Sequence, residues 1–158
     1  MINPKARVWI YQSDKVLNDE QVSVLKELLT DFTDHWTAHN QQLTASYELK
    51  YKRFIVLIVD ETQAGASGCS IDKSVHLMKD LEQKFQINLF DRFNIAYKEG
   101  DEIKSVNKDR FEEMIAKGEI NSSTIVFNNL VPTYGEFLNK WETPLAQSWH
   151  ANFFKVEV

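Results

Sequence analysis

Apolar residues in this 158-residue chain recur in two periods, and the two alternate along it. Arg7 to Gln12, RVWIYQ, concentrates β-branched and aromatic residues and predicts a strand. Val22, Leu25, Leu29, Phe32 and Trp36 then return at three- and four-residue steps, which predicts an amphipathic helix from Asp19 to about Ala38. Asn18 stands where an N-cap belongs, with Gln21 placed to complete a capping box. Leu43, Ala45, Tyr47, Leu49 and Tyr51 alternate with polar residues, the mark of a strand with one wet face near a sheet edge. After a turn at Lys52-Arg53, Phe54 to Val59 is apolar throughout and predicts a central strand covered on both faces. A loop of small residues follows from Glu61 to Gly68. Ile71, Val75, Met78, Leu81 and Phe85 then mark one face of a second helix.

Downstream the elements shorten. Phe93 to Lys98 predicts a strand, Glu99-Gly100-Asp101 a turn, and Glu102 to Val106 a strand pairing back as a hairpin. Asn107 is placed to cap a short helix that carries Phe111, Met114 and Ile115 and stops at Gly118. Thr124 to Val131 predicts a late strand or extended segment, and Thr133 with Glu136 a capped helix reaching Trp141. Thr143-Pro144 predicts the start of a last helix, with Leu145, Trp149 and Phe153 on its apolar side. The first six elements run β-α-β-β-α-β, the ferredoxin-like order. The expected fold is therefore α+β: a mostly antiparallel sheet with helices on one face and a C-terminal helical extension, in a single domain.

Composition narrows the function classes. The 43% hydrophobic and 26% charged content is that of a globular domain. A net charge of -5 argues against a general nucleic-acid binder, which needs a basic footprint. YKRFIVLIVD also lacks the stacking aromatics of an RNA-recognition strand. One cysteine cannot form an internal disulfide, and the first residues lack the apolar core of a secretion signal. The longest apolar run is too short to span a bilayer. The expectation is a cytoplasmic protein with no membrane or nucleic-acid partner, and no cofactor motif is found.

The chemistry-bearing residues gather after the central strand. Cys69 stands at the junction of loop and helix, and helical spacing puts Cys69, Asp72 and His76 on one side, away from the apolar stripe. A carboxylate and an imidazole one turn apart, behind a thiol at a helix start, are the parts of an activated nucleophile. His150, distant in sequence, is a second candidate base. The competing reading is a compact filler cysteine, the more common use of the residue. Gly65, Ser67, Gly68 and Ser70 supply a second possibility, a backbone cradle for a small anionic ligand at the helix start. Three familiar phosphate loops are excluded by missing residues. No lysine follows Gly68 as a P-loop requires, Gly65 and Gly68 are the loop's only glycines, and Val75 stands where a Cys-x5-Arg loop has its arginine. Asp31, His35 and His39 recur at four-residue steps, but a solvated helix edge explains them better than a metal site.

The segments VWIYQ, GASGCSID, LFDR, IVFNNLV and SWH together resemble a small family of uncharacterised bacterial proteins, some of which carry the label "ABC transporter ATPase". The likeness runs from Arg7 to about Phe153 and implies a cytoplasmic bacterial protein of this length. The ATPase label requires a Walker A loop, which the chain lacks, so ATP hydrolysis is not expected. The function expected is a binding domain, for a small anionic ligand or a protein partner, with a cysteine-dependent enzyme built on Cys69 as the alternative.

Overall fold

A computed structural model describes residues 1–156. Its contacts gather into two compact units, residues 1–90 with 132–135, and residues 91–131 with the chain from 136 onward. The sequence pattern reads as one domain because its apolar periods run on without a linker.

The first unit holds a three-stranded antiparallel sheet in the order β1-β5-β4, formed by β1 (Arg7–Gln12), β4 (Thr44–Lys50) and β5 (Phe54–Asp60). β5 is central because it alone is apolar at nearly every position, and Phe54 to Val59 are all buried. Two helices, α1 (Asp19–His35) and α2 (Gly68–Phe85), bring Leu25, Leu29, Met78 and Leu81 into one core with Ile55, Leu57 and Val59. Asn18 and Gln21 form the expected capping box on α1. The helix ends at His35, short of Ala38, because Trp36 turns to extended backbone and roots its indole in the core by donating to the Ser70 carbonyl at 2.8 Å. The next residues make a two-strand hairpin, β2 (Thr37–Ala38) and β3 (Gln41–Gln42), whose turn holds His39 and Asn40 at positive φ.

The second unit has its own four-stranded antiparallel sheet, ordered β7-β6-β8-β9, from β6 (Asn94–Glu99), β7 (Glu102–Asn107), β8 (Ile125–Phe127) and β9 (Glu142–Pro144). The β6–β7 hairpin turns at Gly100, whose φ of 63° suits a residue without Cβ. Asn107 caps α3 (Lys108–Ala116) through Arg110 N–H, and the chain breaks at Gly118 as the pattern predicts. α3 sets Phe111 and Met114 into a core with Ile95, Tyr97, Val126 and Leu145. A short helix, α4 (Tyr134–Lys140), precedes β9.

The α+β class and antiparallel pairing agree with the sequence. The ferredoxin-like order is not formed: its fourth strand, β6, pairs with β7 and β8 rather than beside β1. The expected last helix is also reorganised. Thr143-Pro144 enters β9 opposite Val126 and Ile125, followed by one 3-10 turn (Leu145–Gln147) and a four-residue helix, α5 (His150–Phe153). Pro144 fits there because an edge position asks no N–H of it. The late strand shrinks to Ile125–Phe127: Asn128 still donates its N–H to the Trp141 carbonyl in the β8–β9 register, and the chain then turns, with Leu130 donating to the Asn128 side chain and Val131 to its carbonyl. Among the described residues no helix is long and apolar enough to cross a membrane.

Candidate functional site

The loop between β5 and α2 satisfies itself. Asp60 Oδ1 accepts from the Thr62 N–H at 3.0 Å and from its hydroxyl at 2.9 Å, and the Thr62 bonds hold the Asp60 carboxyl below the usual carboxylate range. The Glu61 carboxylate folds over the small residues and accepts the Ala66 N–H at 2.8 Å, with the Arg7 guanidinium 3.7 Å away. A Cβ on Gly65 would stand 3.1 Å from that same carboxylate oxygen, so Gly65 gives room to Glu61. Ser67 and Ser70 are joined as a reciprocal capping box, Ser67 Oγ accepting Ser70 N–H and Ser70 Oγ accepting Ser67 N–H. Ser70 is buried, and its carbonyl receives Trp36. Gly68 is the first residue of α2 and has open space where a Cβ would go. Of the four residues that suggest an anion cradle, three are therefore engaged in holding the loop and the helix start together.

Cys69 is free and exposed on the second residue of α2. Asp72 and His76 are exposed on the same side, as the spacing predicts. Among the described residues no hydrogen bond or ion pair joins these three side chains. The sulfur is accessible, but no imidazole is held against it and no second group orients His76. Chemically this is a modifiable thiol on a wet helix face, without the base–orienter geometry that raises a nucleophile's reactivity.

His150 lies in the second unit, 2% exposed. Its Nδ1 is 2.7 Å from the Ser148 hydroxyl, its ring stacks on Trp149 with centroids 3.8 Å apart, and Phe111 stands 6.5 Å off. Burial among these rings pushes its pKa down to about 4, so the imidazole is neutral at neutral pH. Of the residues at metal-like spacing, His35 Nδ1 meets the Asp31 carbonyl at 2.8 Å, and His39 sits in the hairpin turn beyond the helix. Among the described residues no three His, Cys, Asp or Glu side chains converge as metal ligands would.

Two features are not legible from the sequence. Glu61 stands there only as the start of a loop, and nothing in its spacing says that its carboxylate reaches the Ala66 N–H. The second is an aromatic surface on the second unit. Phe93 is 55% and Phe153 48% exposed. Phe93, Asn107, Lys108 and Asp109 line an open depression of about 410 Å³, and Lys108 Nζ lies 5.9 Å from the Phe153 ring. Phe153 stands edge-on to Trp149 and Phe154, which anchor it to the core through Phe111. Comparison of the chain with protein-family models, curated proteins and solved structures finds no match.

Proposed function

We propose that this is a cytoplasmic, non-catalytic interaction domain that binds a protein partner through the aromatic surface around Lys108. The observation that carries the reading is that Phe93 and Phe153 are each about half exposed, Phe93 lining a depression with Lys108 and Phe153 lying within 5.9 Å of its ammonium. Exposed large aromatics are what interface centres are enriched in, and rigid rings lose little entropy when covered; the Lys108 ammonium beside them is held by Glu112 at 2.8 Å. The acidic net charge of -5 favours a protein over a nucleic acid as partner. The bacterial family that the sequence resembles is consistent with this reading and adds no activity of its own. The small-anion reading has less support, because Glu61 and Ser70 occupy loop donors that such a ligand would use.

The test is site-specific photo-crosslinking in cells. A photoreactive residue at position 153 is expected to give a discrete adduct that Phe93→Ala removes, while the same residue at Asp80 on α2 gives none. The adduct should persist in Cys69→Ser. Equal labelling from both positions, or loss of the adduct in Cys69→Ser, would overturn the proposal. A thiol enzyme remains the second reading because Cys69 is exposed. It requires Cys69→Ser to abolish an activity that Phe153→Ala spares.

A further inference from the structure

The three-stranded sheet of the first unit has two edges, and the chain treats them differently. β1 is closed at one end by its own chain: Val8 donates its N–H to the Pro132 carbonyl, and Arg7 bridges to Thr133. The other edge, β4, has no strand beside it, although α1 packs on the strand, with the Tyr47 hydroxyl donating to the Lys26 carbonyl. Leu43, just before it, donates outward to the Trp36 carbonyl, and the two-residue period of a strand carries the same direction to Ala45, Tyr47 and Leu49. The β1 side gives the same parity. Val8 bonds away from the sheet, so its partner Ile58 bonds across to Ser46, and the residues flanking Ser46 point out. The outward N–H and C=O groups of Ala45, Tyr47 and Leu49 have no hydrogen-bond partner among the described residues. A row of such groups is a template for another strand.

A second polar group on this strand is unsatisfied. Glu48 takes the Tyr134 hydroxyl on its carboxylate, yet its Oε2 is buried without a hydrogen-bond partner. The Ser46 side chain, on the same face, makes no hydrogen bond among the described residues.

We propose that β4 pairs antiparallel with β4 of a second copy of this chain, about a two-fold axis at Tyr47, joining two three-stranded sheets into one. The sequence TASYELK is self-complementary in that register. Tyr47 faces Tyr47 of the second copy, and Ala45 faces Leu49, so a small side chain meets a larger one. Ser46 faces Glu48, which sets a hydroxyl opposite a carboxylate, and Thr44 faces Lys50. No like charges stand directly opposite; the two Glu48 residues lie on a diagonal, about 7–8 Å apart, each beside a serine. The register also puts the outward groups of Ala45, Tyr47 and Leu49 into bonded pairs. This site lies on the first unit and is independent of the aromatic surface proposed above, so either can fail without the other.

Sedimentation velocity over a concentration series of the full chain tests it. The wild type is expected to show a concentration-dependent dimer. Ser46→Glu places a carboxylate opposite Glu48 at both symmetric positions and should weaken association at least about tenfold, whereas Ser46→Lys should retain or strengthen it. Ala45→Pro removes an outward N–H that the monomer does not use and should abolish the dimer, with circular dichroism checking that the fold persists. The proposal is overturned if the wild type is monomeric throughout, if Ser46→Glu leaves the dimer unchanged, or if Ser46→Lys weakens it as much as Ser46→Glu.

Discussion

Ser67 and Gly68 are adjacent, both drawn from the residues that make the loop look like a ligand cradle, yet they do different work. Ser67 Oγ satisfies an otherwise orphan N–H at the start of α2, so Ser67→Ala should lower the unfolding free energy by about 1 kcal/mol. Gly68 has ordinary backbone and nothing within 4 Å of where a Cβ would stand, so Gly68→Ala should be neutral or slightly stabilising. Urea denaturation of both variants measures the difference. A larger loss at Gly68 than at Ser67 would mean that this glycine serves a close approach absent from the folded monomer. The same helix shows why side-chain type misleads at single positions. The apolar spacing puts Ile71 and Val75 on its buried stripe, but Ser70 and Ser74 are the buried residues of its first turns. They fit because Ser74 returns its hydroxyl to the Ile71 carbonyl and Ser70 completes the cap, so neither carries an unpaired group into the core.

Among the elements, α3 depends on one anchor. Phe111 is fully buried, with the Phe154 ring 4.7 Å and the Tyr97 ring 6.3 Å away, while Ile115 on the next turn is half-buried. Phe111→Ala should therefore cost about 3–5 kcal/mol, and Ile115→Ala clearly less; thermal or urea unfolding of the pair decides it. Equal costs would show that α3 is held by its whole apolar face rather than by the ring. This helix, its Asn107 cap, the Gly118 stop and the β6–β7 hairpin are all legible in the sequence, because each is specified by residues within a few positions of one another. The segment after Trp141 is not. Thr143-Pro144 is a sound local signal for a helix start, but pairing with Ile125 and Val126, about twenty residues away, overrides it. The 2.9 Å bond from Trp141 Nε1 to Asn129 likewise ties loop to loop in a way no local pattern announces.

Across the whole molecule, which strand pairs with which is the least legible property. The β-α-β-β-α-β order is compatible with one sheet, and only non-local contacts send β6 to a sheet of its own. Spacing places the candidate thiol face correctly as a set of exposed residues on one helix side, yet exposure and shared direction do not create contact, and sequence spacing cannot supply it. His150 shows what such non-local packing does to the energetics of the chain. Its neutral form is favoured in the folded state, where its pKa is about 4, against 6.5 for the ordinary side chain. Between those values the unfolded chain binds the proton and the folded chain does not, so stability falls as pH drops through this window and rises as pH increases. The shift corresponds to about 3 kcal/mol in all, nearly complete by the time pH reaches the folded pKa. Asp19 and Asp60, whose folded pKa values are lowered by Lys52 and by Thr62, begin to lose their contribution only as pH approaches their ordinary value of 3.8 and lose most of it below that value. The histidine window is thus separable from acid unfolding proper. Urea denaturation between pH 7 and pH 4 should show the decline in the wild type, and His150→Gln, which keeps an amide beside Ser148 but cannot titrate, should be nearly flat over the same range. A variant that declines as steeply as the wild type would move the pH dependence to another group and show that the buried imidazole does not carry it.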